Sequence, residues 1–170
     1  LIETVPAYNS LTVYYNPFHI QKTADDNSIT EAVVKQIKDQ LNPISSSFVK
    51  YHQPIIEIPV CYDEEYGIDL QELSSQLQLS KEDIIRLHSE KTYKVYMMGF
   101  TPGFSYMGTV NEQLFSKRKA QPRLQVEAGS VAIAGNQTGI YPLETPGGWN
   151  IIGKTSVSLF NKEQQYPFLL

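Results

Sequence analysis

After residue 92 the chain loses every helical period, and that loss limits what it can fold into. Thr92 to Met98, Val126 to Ala134, Gly139 to Tyr141 and Trp149 to Phe160 are β-branched and aromatic runs separated by Gly/Pro turns. Short strands punctuated in this way predict an all-β barrel or sandwich. Upstream the pattern is different. Leu11-Thr12-Val13-Tyr14-Tyr15 reads as a strand that Asn16-Pro17 ends. Ser28-Ile29-Thr30-Glu31 is a capping box, and Ile29, Val33, Ile37 and Leu41 follow on one helix face until Asn42-Pro43 stops it. Pro54 to Val60 alternates around Ile56, Ile58 and Val60 and predicts a strand. Two further boxes, from Asp69 to Glu72 and from Ser80 to Asp83, predict two short abutting helices between about 69 and 90. Leu70, Leu73 and Leu77 share a face of the first, and Ile84, Leu87 and His88 a face of the second.

These patterns place a boundary near residues 43–53. Residues 1–52 are a partial α/β domain of about 50 residues, too small to bury a full core alone. Residues 53–170 are the main domain, a β-barrel carrying the helical pair. The fold class is therefore α+β.

Composition removes several function classes. The chain has 170 residues, 41% hydrophobic and 19% charged, which is globular. Lys plus Arg number 14 against 18 Asp plus Glu, and a net charge of −4 argues against a general nucleic-acid binder. No apolar run approaches the roughly 20 residues of a membrane span. The single cysteine, Cys61, precludes an intrachain disulfide and fits a reducing, cytoplasmic compartment; with no activating motif beside it, it reads as an inert packing residue. His19, His52 and His88 are scattered singly, so a zinc site with the usual ligand spacing is not expected.

Four stretches have the residue types that chemistry needs. In Gly99 to Tyr106, Gly103 follows Pro102 as in a type II turn, and Phe100, Phe104 and Tyr106 either wall a ligand or fill a tight corner. In Tyr141 to Asn150, the Gly147-Gly148 pair permits close backbone approach, and Trp149 adds a flat surface with one donor; a structural hairpin is the alternative. Lys117-Arg118-Lys119 and Arg123 form the basic cluster. Lys117 and Lys119 read as solvated, whereas Arg123, fixed by Pro122, is open between anion ligand and structural ion pair. Gly135 to Gly139 offers Asn136, Gln137 and Thr138 in a loop or a simple hairpin turn. His88 lies on an apolar helix face, where a lone histidine is usually a hydrogen-bonded core residue. No nucleophile elbow, Walker loop or dinucleotide fingerprint is present.

Taken together, Val5-Pro6-Ala7-Tyr8, Leu87-His88-Ser89, Gly99-Phe100-Thr101-Pro102-Gly103-Phe104, Pro122-Arg123, Ala128 to Gly135, Gln137 to Pro142 and Pro146-Gly147-Gly148-Trp149 resemble the KipI / allophanate hydrolase subunit 1 / 5-oxoprolinase subunit PxpB family, in the family order. Glu127 and Gln121 depart from it, standing where proline and threonine are common. The resemblance implies a small α/β domain followed by a cyclophilin-like β-barrel. It also implies a clipped chain, since members usually begin earlier and continue into a closing strand.

In function, the resemblance implies the B component of an ATP-dependent 5-oxoprolinase, an amide-ring hydrolase that opens 5-oxo-L-proline to L-glutamate with PxpC-like and PxpA-like partner subunits. Phosphorylating an amide oxygen would make a better leaving group, and the charge that develops needs preorganised donors. On that reading Arg123 and His88 are the catalytic candidates. Gly103, Phe104, Gln137, Thr138, Gly147, Gly148 and Trp149 are the substrate-binding ones, all around a common hollow. The alternative is a KipI-type inhibitor that binds a sensor histidine kinase. A prolyl isomerase would rest on fold analogy alone.

Overall fold

A computed structural model of the protein describes residues 2–8, 10–41, 54–161 and 163. The chain divides into two compact units, Leu1–Pro54 and Ile55–Leu170. The boundary expected near residues 43–53, and the helix stop at Asn42-Pro43, lie outside the described residues.

In the first unit, β1 (Glu3–Pro6) pairs antiparallel with β2 (Leu11–Tyr14), Glu3 opposite Tyr14 and Pro6 opposite Leu11. The Asn16 side chain accepts from the Phe18 N–H at 2.9 Å and caps a short 3-10 turn over Pro17–His19. Helix α1 (Ile29–Leu41) starts where the capping box predicts, with the Glu31 N–H donating to Ser28 Oγ at 3.1 Å. Ala32 and Val33 on this helix are buried.

The second unit opens without a strand. Pro54 to Val60, expected to be one, has no regular structure, because Pro54 and Pro59 have no N–H to give to a ladder. Only Cys61 bridges to Lys154, with bonds of 2.8 and 2.9 Å. Cys61 itself is exposed, contrary to the packing role expected of it.

Two helices follow, α2 (Leu70–Leu77) and α3 (Lys81–Ser89). The Ser80 hydroxyl accepts from the Asp83 N–H at 3.0 Å, as the second box predicts. At α2 the expected cap is not made: Asp69 makes no side-chain cap bond, and its carboxylate turns elsewhere.

Strands β3 (Lys94–Met98), β4 (Ser105–Gly108), β6 (Ser130–Ala134), β7 (Gln137–Ile140) and β9 (Asn150–Lys154) form an antiparallel sheet in the order β3-β4-β7-β6-β9. β5 (Arg123–Val126) and β8 (Thr145–Gly147) pair as a separate ribbon, with Arg123 opposite Gly147. The fold is mixed helix and sheet. Among the described residues the five-stranded sheet stays open and the expected barrel is not closed: β3 and β9 are its two edges. The run read as one strand from Trp149 to Phe160 stops at Lys154, where the Thr155 N–H turns to the Gly129 carbonyl at 2.9 Å.

Strand β6, between β7 and β9, is buried along its whole length, and its period of two sorts the interior into two clusters. Val131 and Ile133 meet Ile140, Ile152 and the leucines of α2 and α3 on the helical face. Ala132 and Ala134 face Phe104, Tyr141 and Trp149 on the other. Gly139 lies on that aromatic side, where an added Cβ would sit 2.9 Å from Phe104 Cζ and 3.2 Å from Trp149 Cζ3. Gly139→Ala is therefore expected to cost about 1–3 kcal/mol by overpacking. A lowered urea midpoint at unchanged m-value reports it, whereas an unchanged midpoint would mean that the aromatic layer has slack.

Candidate functional site

The aromatic face of the sheet carries a hollow of about 260 Å³. Phe100, Phe104, Tyr106 and Tyr141 contribute from the strand ends, and Trp149 from the turn into β9. Pro146, Gly147 and Gly148 close it from β8 and its turn, and Arg118, Lys119 and Pro122 from the loop before β5.

Local sequence chemistry explains each wall. Thr101 to Phe104 is the expected turn: the Phe104 N–H returns to the Thr101 carbonyl at 3.0 Å, and Gly103 takes φ +82. It turns Phe104 inward, edge-on to Trp149 at 5.5 Å, to Tyr141 at 5.3 Å and to Tyr106 at 4.8 Å between ring centroids. Gly147 is required by close approach, since a Cβ there would lie 2.3 Å from the Tyr141 hydroxyl. That hydroxyl accepts the Trp149 backbone N–H, yet burial keeps the Tyr141 pKa above its usual value, so the phenol stays protonated at neutral pH.

The ribbon that holds Gly147 is fastened by Asp69. This carboxylate is 2% exposed. Oδ2 accepts from Arg123 Nη1 at 3.0 Å and from the Ile151 N–H at 2.7 Å. Oδ1 accepts from Arg123 Nη2 at 2.7 Å and Lys119 Nζ at 2.8 Å. Burial alone would raise the Asp69 pKa; the bonds from Arg123, Lys119 and Ile151 outweigh it and hold the carboxyl below its ordinary value. Lys119 also reaches Glu72.

The expected site residues are therefore split. Phe104, Gly147, Gly148 and Trp149 line the hollow. Gly103 shapes the turn behind it, packed near Pro142 and Leu159. Arg123 does not line it; it is the ion-pair partner of Asp69. Gln137 and Thr138 are in strand β7, beyond the Gly135-Asn136 hairpin turn, and neither lines the hollow.

His88 is on the helical side of the sheet. It is 6% exposed, and its Nε2 lies 2.9 Å from Thr138 Oγ1. The Thr138 hydroxyl donates to the Ala132 carbonyl at 3.1 Å, so it accepts from His88, which assigns the proton to Nε2. Nδ1 then accepts from the Tyr62 hydroxyl at 3.1 Å. Burial pushes the His88 pKa down to about 4.

The residues missed in the sequence are Asp69, masked by a helix-start pattern, and Arg118, absorbed into a solvated-looking run. Arg118 is exposed, 5.9 Å from the Trp149 ring centroid, and has no acidic partner among the described residues. The hollow thus offers aromatic walls and an uncompensated cation, with no His, Cys, Asp or Glu in its lining. Among the described residues no group of three or more such side chains could hold a metal, and no helix is long and apolar enough to cross a membrane.

This geometry sets two expectations for stability. Asp69→Asn leaves Arg123 and Lys119 without their shared counter-charge and should cost about 3 kcal/mol or more; a loss below about 1 kcal/mol by urea unfolding would refute the anchor. For His88 the folded pKa lies below the unfolded value of 6.5. Between pH 6.5 and 4 the unfolded chain binds a proton that the native one does not, so stability falls as pH falls, by about 2 kcal/mol between pH 7 and 5. His88→Asn should abolish that difference, and an equal slope in both proteins would contradict it. The loss tied to Asp69 begins lower, near the ordinary carboxyl value of 3.8, and grows as pH falls through the depressed folded value.

Comparison with known proteins gives a consistent result. The family described as "Carboxyltransferase domain, subdomain C and D" matches residues 1–170. The chain is 43% identical over 171 residues to the B subunit of 5-oxoprolinase from Bacillus subtilis (strain 168), covering 99% of this chain and 71% of that protein. It is 40% identical to the 5-oxoprolinase B subunit from Escherichia coli O157:H7, covering 100% of this chain and 73% of the relative. Among solved structures, PH0987 from Pyrococcus horikoshii superposes with a TM-score of 0.65 at 40% identity, over 100% of this chain and 74% of that one. TTHA0988 in space group P6522 gives 0.70 at 38% identity, over 99% of this chain and 30% of the longer one.

Proposed function

We propose a function from one premise: this chain belongs to the carboxyltransferase-domain family of subdomains C and D. Its role is that of the B component of a 5-oxoprolinase, the name its relatives carry at 40 to 43% identity. The reaction opens the lactam of 5-oxo-L-proline to L-glutamate. One water adds across the ring C–N bond, and a second across the terminal phosphoanhydride of ATP. This component works with PxpC-like and PxpA-like partners in the cytoplasm, in a complex whose reaction none of its parts completes alone. The cyclophilin-like barrel of this family would be completed around the open sheet.

One observation carries the reading. The hollow can bind and orient a small flat molecule, but its lining has no His, Cys, Asp or Glu to act as a general base, and His88 lies on the other face of the sheet. A chain built this way supplies half of a composite site. Arg123 then acts as a positioning residue, through the ribbon carrying Gly147, and His88 as a structural one, through its bond to Thr138. The residues present do not fit ATP: a triphosphate needs several cations or a glycine-rich loop of amides, and the lining offers one uncompensated guanidinium. Nucleotide binding falls to a partner.

Reconstitution tests this. The full-length protein with both partner subunits, ATP and 5-oxoproline should yield glutamate, and omitting this component should abolish it. His88→Asn should retain turnover within about threefold at neutral pH, since its effect is on stability. No glutamate from the complete mixture would overturn the function, and loss of turnover in a folded His88→Asn complex would restore a catalytic role to His88.

A further inference from the structure

We propose that Arg118 is the specificity residue of the hollow: its guanidinium takes the carboxylate of the small lactam acid, and the aromatic walls take the ring. This deepens the proposed function and rests on it.

Charge singles out Arg118. Two cations line the hollow, and one of them, Lys119, is already shared between Asp69 and Glu72; Arg123, which does not line it, is bidentate on Asp69. Arg118 has no acidic partner among the described residues and stands over the Trp149 ring at 5.9 Å. A guanidinium presents its donors as a planar fork that matches a carboxylate.

Placement agrees with charge. Arg118 is exposed, but the backbone on either side of it is pinned. The Lys117 carbonyl accepts from Asn150 Nδ2 at 2.9 Å, and Asn150 is 2% exposed. The Lys119 N–H donates to the Gly148 carbonyl at 2.8 Å. The same turn that carries Trp149 therefore fixes where the Arg118 side chain begins, which lowers the cost of ordering it on a ligand.

Size and strain point the same way. A hollow of about 260 Å³ is below the roughly 300–1,000 Å³ of sites for drug-sized ligands. It suits a five-membered ring with one carboxylate. At its rim Phe100 takes φ +69, a conformation that bulky residues avoid, and leaves its ring 60% exposed. Backbone held this way concentrates at ligand clamps. The Phe100 ring meets Phe104 edge-on at 5.5 Å, so the exposed aromatic continues the inner wall outward.

The test uses the assembled complex. Arg118→Gln should raise KM for 5-oxoproline roughly tenfold to a hundredfold, the value of a charge-assisted pair, with kcat and KM for ATP within about twofold. Arg118→Lys should restore part of the loss, and Lys117→Gln should change neither constant. The wild-type complex should prefer 5-oxoproline to its uncharged carboxamide, and Arg118→Gln should erase that preference. An unchanged KM for 5-oxoproline, or a shift confined to ATP, overturns the proposal while the function stands. If the wild-type complex makes no glutamate, the function fails instead. Calorimetry of 5-oxoproline with the full-length protein then decides: binding that Arg118→Gln abolishes supports the carboxylate site, and binding that it leaves intact, or no binding to wild type, overturns it.

Discussion

Four hydrogen bonds converge on the Asp69 carboxylate, two from Arg123 and one each from Lys119 and the Ile151 amide. They come from three places that share no ladder: the β5–β8 ribbon, the loop before it and the edge strand β9. The Asp69 N–H also returns to the Ile151 carbonyl at 3.0 Å, so the start of α2 is locked to β9 by both backbone and side chain. A two-stranded ribbon has little stability of its own. This carboxylate holds it against the sheet, and with it Gly147, Gly148 and the wall of the hollow. Asp69 therefore shapes the site without lining it, and by neutralising two cations it leaves the third, Arg118, available to a ligand.

The sheet adds the second constraint. Alternation along β6, β7 and β9 sends Val131, Ile133, Ile140 and Ile152 toward the helices, and Ala132, Ala134 and Ile151 toward the aromatics. The small residues on β6 and Gly139 on β7 make room for Phe104 and Trp149. Helical-face packing secures stability, and the aromatic face carries the hollow. The Tyr62–His88–Thr138 chain belongs to the first of these tasks: each donor has its acceptor, and the imidazole is neutral in a dry setting.

Much of this is legible in the residues. The Ser28 and Ser80 caps, the positive φ at Gly103 and the helical pair are local features, set by chemistry within a few positions. The family motifs mark the loops that meet around the hollow. The features that sequence misses depend on long-range partners. A capping pattern at Asp69 looks the same whether its carboxylate caps the helix or crosses 54 positions to Arg123. Thr138 and Trp149 both sit among glycines, yet strand parity places Thr138 on the opposite face, against His88. Pro54 to Val60 alternates like a strand, but its prolines cannot join a ladder. Closure of a barrel depends on which strands meet, and short-range patterns say nothing of that.

The central claim is that the hollow is the lactam half of a composite site with Arg118 at its mouth. A crystal structure of the assembled complex with 5-oxoproline and a non-hydrolysable ATP analogue measures this most directly. The ring should lie against Trp149 and Phe104 with its carboxylate within about 3 Å of the Arg118 guanidinium, and the nucleotide should lie on a partner. Lactam density found only on a partner, with this hollow empty, would contradict the claim.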